Sequence, residues 1–157
     1  MNRRTESRNR SSIKRIDGRF LALPHDVLDS QAYASLSHTA RSLLLELGRQ
    51  YMSKNNGMLV LSSKYLKKRG WNSADVITRA KRELLKAELI YETVMGHRPN
   101  KASRYAVTWA SLDSDPAYDF GAAKGFTRGA YRSGKNAALI PPDKQFTSTT
   151  APVGGVG

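Results

Sequence analysis

The chain has 157 residues, 26 Lys and Arg against 13 Asp and Glu, a formal charge of +13 and no cysteine. That length predicts one domain with tails, and the missing cysteine excludes disulfides and thiolate zinc sites. No apolar run is long enough to span a bilayer or to form a signal-peptide core, so a soluble intracellular protein is expected.

The charge is unevenly placed. Residues 1–19 hold seven Lys/Arg against two acids, residues 20–61 three against three, residues 62–109 eleven against four, and residues 110–157 five against four. The excess therefore sits on the N-terminal arm and on one central block, the footprint expected for a polyanionic partner.

Residues 1–18 are polar, basic and poor in large apolar side chains, which predicts a disordered arm. Arg3, Arg4, Arg8, Arg10, Lys14 and Arg15 suit either a phosphate-tracking arm or a solubilising tail. Residues 19–23 read as an extended lead-in stopped by Pro24. Single helical turns are expected at 25–28 and 31–36. Ser37 then caps a helix over 38–52 with a buried stripe of Ala40, Leu43, Leu44, Leu47 and Tyr51. Lys54-Asn55-Asn56-Gly57 is a turn signal, and residues 58–61 form a short apolar strand.

Next comes the basic block. Ser62 or Ser63 caps a short helix whose apolar contacts are Tyr65 and Leu66. Lys64 lies within it, and Lys67, Lys68 and Arg69 crowd its end, where cations suit the helix dipole. Gly70 stops it. Asn72 or Ser73 caps a second, longer helix with Asp75 in its first turn. Val76, Ile77, Ala80, Leu84 and Ala87 recur at helical spacing and make its apolar face. Ala74, Asp75, Thr78, Arg79, Arg82 and Lys86 fall mostly on the other face. Residues 89–95 favour strand, and residues 103–109 place Tyr105, Val107 and Trp109 on one face by alternation. The connector Gly96-His97-Arg98-Pro99-Asn100-Lys101 has turn chemistry and two fixed positive charges.

From residue 110 the apolar rhythm stops, and residues 112–116 are expected to end the domain. Residues 113–157 read as a flexible Gly/Ser/Thr/Pro-rich tail with spaced aromatics, a disordered linker or a segment that orders on a protein partner or on single-stranded nucleic acid. Its removal is expected to leave folding intact. No catalytic set emerges. His25, His38 and His97 stand far apart in the sequence, no phosphate-loop motif is present, and Asp113 and Asp115 share a linker. A non-enzyme without metal or cofactor is expected.

The order helix, strand, helix, helix, strand, strand over residues 20–109 predicts an α+β, mainly α, domain. The blocks FLALPHDVLDSQAYASLSHTARSLLLELGRQY, NNG, KKRGW, RAKRELLKAELI and SRYAVTW resemble winged helix-turn-helix proteins of bacterial prophages and plasmids. They are similar in particular to the origin-binding domains of phage and plasmid replication initiators. The resemblance covers 90 of the 157 residues. It implies a winged helix-turn-helix over residues 19–112, with a small β-hairpin wing at 96–101. It also implies a cytoplasmic, nucleoid-associated protein that binds double-stranded DNA by sequence, as a transcription regulator or a replication-origin binder. No helicase-loading or ATPase motif follows. Because one fold serves many functions, a protein-interaction module and RNA binding stay open.

On this reading the second helix enters the major groove. Asn72, Ser73, Ala74 and Thr78, at its start, are the expected base or near-base contacts. Arg79 and Arg82 reach guanine edges or phosphates, while Lys81 and Lys86 meet phosphates. Lys64, Lys67, Lys68 and Arg69 on the first helix complete the expected DNA contacts, with Arg98 and Lys101 on the wing. The sequence does not decide the DNA site or the oligomeric state.

Overall fold

Four serines set the helix starts in residues 17–133, the part of the chain described by the structure, a computed structural model. Ser30, Ser37, Ser62 and Ser73 each accept a hydrogen bond from the backbone N–H three residues on. A cap of this kind contributes about 1 kcal/mol, because it satisfies an N–H that the helix leaves unpaired. Between the paired alternatives in the sequence, Ser62 is therefore the cap rather than Ser63, and Ser73 rather than Asn72.

The helices are α1 (His25–Leu28), α2 (Gln31–Ala34), α3 (His38–Gly48), α4 (Ser63–Lys67), α5 (Ala74–Lys86) and α6 (Ala122–Gly125). The strands are β1 (Leu59–Val60), β2 (Ile90–Val94) and β3 (Arg104–Val107). The fold is α+β and mostly helical, with one antiparallel sheet in the order β1-β3-β2. Leu59 opposes Tyr105, Ile90 opposes Val107, and the ladder is irregular between Glu92 and Val94. Among the described residues no helix is long and apolar enough to cross a membrane.

The expected stripes face the core. Ala40, Leu43, Leu44 and Leu47 of α3 meet Ile77, Ala80, Leu84 and Ala87 from the α5 side. Burying one such leucine contributes roughly 1.5–3 kcal/mol. Helix α3 stops at Gly48 instead of running to 52, because polar side chains capture the chain beyond it. The Asn55 amide donates to Gln50 O at 2.8 Å and accepts from Met52 N at 2.7 Å. Such local side-chain bonds compete with helical ones. Freed from the helix, Gln50 turns its own amide onto the backbone of Val60, at 2.9 and 3.0 Å.

Two expectations fail on the outer face of the sheet. Alternation should have left every second residue of β3 exposed, yet Tyr105, Ala106 and Val107 are all buried, with Thr108 after them. The domain was also expected to end at 112, yet the chain runs on over the sheet to residue 133. This strap, residues 113–133, covers the second face and explains the first failure. The Tyr118 hydroxyl donates to Asn56 O at 3.0 Å and Asp113 O at 2.7 Å. Tyr91 donates to Ala122 O at 3.1 Å and meets the Phe126 ring edge-on at 5.6 Å. Gly129 N donates to Thr108 O at 2.7 Å. A 3₁₀ turn, Ala130–Arg132, then drives Tyr131 into the core at 0 % exposure, where its hydroxyl donates to Asp26 at 2.9 Å. The cations of the N-terminal arm, Arg3 to Arg15, and residues 134–157 lie outside the described residues.

Asn56 joins the strap to the sheet. Its fully buried side chain accepts from Val107 N at 2.8 Å and donates to the carbonyls of Val107 and Ser111, both at 2.9 Å. Its backbone N–H donates to the Asp113 carboxylate at 2.8 Å. Gly57 follows at φ +111°, and a Cβ there would stand 2.0 Å from the Tyr118 hydroxyl. Both the backbone angle and the space demand glycine.

Candidate nucleic-acid interface

The turn between α4 and α5 is built on Gly70, at φ +88°. Trp71 N donates to Leu66 O at 3.0 Å, which folds the chain back and half-buries the indole. Lys64, Lys67 and Lys68 are exposed along α4, with no ion pair among the described residues. Arg69 differs: its guanidinium reaches back to Glu46 of α3, at 2.9 Å from Nε to Oε2. That carboxylate holds the Arg69 charge more firmly, raising its pKa. The sequence had put Arg69 among the DNA contacts, and the structure places it in a tie between helices.

Two flanks fix the orientation of α5. On one, the Glu83 carboxylate accepts from Ser37 N and Ser37 Oγ, both at 2.9 Å. An anion thus sits at the start of α3, the positive end of its dipole. Val76, on the same side, lines a groove of about 500 Å³ with His38, Thr39, Ser42 and Trp71. On the other flank Lys81 is half-buried, its ammonium 5.9 Å from the Tyr105 ring centre. The arc between these flanks faces solvent and carries Asp75, Thr78, Arg79, Arg82 and Lys86.

The polar groups of that arc are not equally available. Ser73 commits its oxygen to the cap, and Thr78 Oγ1 donates to Ala74 O at 2.9 Å. Asn72 and Ala74 are exposed, and the Asn72 side chain makes no hydrogen bond to the described residues. Arg79 pairs with Asp75 at 3.2 Å, one turn back. With both partners in water, such a pair is worth at most about 0.5 kcal/mol and exchanges readily. Arg82 and Lys86 are exposed, with no ion pair among the described residues.

The connector 96–101 closes on itself, His97 N donating to Lys101 O at 2.9 Å and Lys101 N to His97 O at 3.0 Å. Gly96 is enclosed by backbone: a Cβ there would stand 2.4 Å from Ser103 N. The connector borders the start of α4, since residues 96–103 and Ser63 line one groove of about 440 Å³. Arg98 is exposed, with no ion pair among the described residues. Lys101 is not free: its ammonium lies 3.3 Å from Asp119 of the strap.

The cations foreseen for DNA thus divide into two sets. Lys64, Lys67, Lys68, Arg82, Lys86 and Arg98 stand in water without an acid partner among the described residues. Arg69, Arg79 and Lys101 are paired, and Lys81 leans on an aromatic ring. Glu46, Glu83 and Asp119 were not foreseen, because an acid's partner across tens of residues leaves no mark in local spacing. Among the described residues no three His, Asp or Glu side chains gather as metal ligands would. Burial pushes the Tyr105 and Tyr131 hydroxyls up to about 12, so both are neutral packing groups. No protein-family model, curated protein or solved structure matches the chain.

Proposed function

We propose that this chain is a winged helix-turn-helix protein that binds double-stranded DNA by sequence. Helix α5 is the reading helix, α4 the preceding helix of the pair, and the connector 96–101 the wing. The element order and the β1-β3-β2 sheet agree with that fold. The observation that carries the reading is the gathering of six exposed cations, Lys64, Lys67, Lys68, Arg82, Lys86 and Arg98, on α4, α5 and the connector, without an acid partner among the described residues. Unpaired Lys and Arg displace condensed counterions from DNA, and an exposed helix start next to them gives access to base edges. Transcription regulation and origin recognition in a mobile element both need such an interface.

Gel-shift titration with duplex DNA, single-stranded DNA and RNA across a salt series tests this. Duplex preference with a steep loss of affinity as salt rises is expected. Equal affinity for all three, or affinity flat in salt, would overturn it. A protein-interaction module is the second reading. It rests on two apolar side chains in water near the connector, Phe120 fully exposed and Met95 at 67 %. Absence of any nucleic-acid binding would favour it.

A further inference from the structure

We propose that Asp119 is an internal counter-ion that competes with DNA phosphate for Lys101, and so limits how many phosphates the connector engages. The inference rests on the DNA-binding reading above. Strand β2 is an edge of the sheet, so the outward backbone groups of Thr93 and Met95 lack a neighbouring strand. Asp119 meets both. Its backbone N–H donates to Thr93 O at 3.0 Å, and its Oδ2 accepts from Met95 N at 2.5 Å. The carboxylate is therefore fixed by main chain, independently of Lys101. The Met95 N–H first, and the Lys101 ammonium and nearby His97 after it, keep the carboxyl below the usual aspartate range and hence ionised.

The remaining oxygen, Oδ1, faces the Lys101 ammonium at 3.3 Å. Both side chains are about two-fifths exposed, at 42 % and 41 %. An ammonium in that position meets an anion in the free protein as it would on DNA. Moving to a phosphate exchanges one anion for another, so Lys101 adds little net affinity, whereas Arg98 starts with no anion of its own among the described residues. Asp119 is thus a positioning residue for the wing as well as a charge brake on it.

The test uses the full chain and a duplex titrated over a salt series. The slope of log affinity against log salt should change by about 0.9 for each phosphate newly engaged or released. Asp119→Asn keeps an oxygen for Met95 N and removes the charge. It should bind duplex several-fold more tightly at low salt, with a slope steeper by about 0.9. Combined with Asp119→Asn, Lys101→Gln should cancel the gain and return affinity to within about twofold of the parent, because the gain runs through that one ammonium and the double variant removes a pair that is neutral overall. Asp119→Ser, which also offers an oxygen near Met95 N and carries no charge, should repeat the gain and keeps the test open if Asp119→Asn misfolds. A slope left unchanged by both Asp119 variants, or a gain that survives Lys101→Gln, would overturn the proposal while leaving DNA binding intact. A parent protein that binds no duplex would remove both.

Discussion

Helix α5 and the strap 113–133 are held to the core by opposite means. Helix α5 buries a repeating stripe of modest side chains, Ile77, Ala80 and Leu84, and turns its cations outward. The strap has little regular structure and is pinned by separate aromatic anchors, Tyr118, Phe126 and Tyr131. The charges follow the same division. Arg82 and Lys86 of α5 stay unpaired among the described residues and Arg79 pairs only within the helix, whereas the strap's Asp115 and Asp119 take Arg104 and Lys101. A repeating stripe leaves the opposite face of an element free for a partner. A strap made of anchors turns its acids onto the domain itself.

The largest effect should come from removing the strap. A chain ending at Leu112 uncovers the outer face of the sheet and takes the ring of Tyr131 out of the core. Loss of the cooperative thermal melt is expected, where the sequence alone had suggested an intact fold. A melt unchanged by this truncation would mean that α5 and its sheet need no cover.

Single anchors come next. Tyr131→Ala should cost about 3–5 kcal/mol, the range for deleting a buried aromatic, and Tyr131→Phe about 1 kcal/mol for the lost hydrogen bond, both read by denaturant unfolding. Tyr131→Phe should also alter the response to acid. The Tyr131 hydroxyl is the largest single cause that holds the Asp26 carboxyl below its ordinary value of 3.8, against some opposition from burial and with help from the hydrogen bond and charge of Arg132. The folded value lies below the unfolded one, so this stabilisation is complete at neutral pH. It is lost as pH falls through 3.8 toward the depressed folded value. The phenylalanine variant should lose less stability over that acid window than the parent. An identical acid profile would show that Tyr131 is not what holds Asp26.

Helix α5 should respond the other way. Arg82→Ala should leave the melting temperature nearly unmoved, because the side chain lies off the buried stripe. If Arg82 reads a base, its removal should cost about 1–3 kcal/mol on the preferred duplex and relax preference at one position. Site selection with both proteins checks this, and identical preferred sequences would reduce Arg82 to a phosphate contact. The smallest effect belongs to Arg98→Ala, a salt slope shallower by about one with sequence preference unchanged. A changed preference would make the connector a base reader.

The same contrast explains what the sequence made legible. Helices α3 and α5 could be read because their buried residues recur every three or four positions and their serine caps sit at the expected offsets. Strands β1 to β3 could be placed to within a residue or two by their apolar, β-branched and aromatic residues between turn signals, although the burial of β3 departs from alternation. Asn56 looked like a turn residue, since nothing local says that its amide serves Val107, fifty-one positions on. The strap was hidden because single anchors such as Tyr131 have no period, and its glycines, its one proline and its charges match the composition of a linker. In the candidate interface, the exposure of Arg82 and Lys86 followed from the helical face they occupy. The pairing of Arg69 with Glu46 and of Lys101 with Asp119 depended on how separate elements pack, which one-dimensional spacing does not record.

Asn56 and Gly57 also give the protein a chemical clock. An asparagine followed by glycine is open to deamidation, because the unhindered glycine nitrogen can attack the side-chain amide carbon, expel its nitrogen as ammonia and close a five-membered imide that water then opens to a carboxylate. Here the amide is held at both ends by Val107, and the following glycine lies beneath the Tyr118 hydroxyl, so the folded chain withholds the geometry that the reaction needs. Attack requires the loop to open first. Each opening carries some chance of placing a carboxylate where the carbonyls of Val107 and Ser111 need a donor, and that product cannot reclose as before. The ageing of a stored sample, followed by the mass shift of the peptide containing Asn56, should therefore track how often the strap lets go of the sheet.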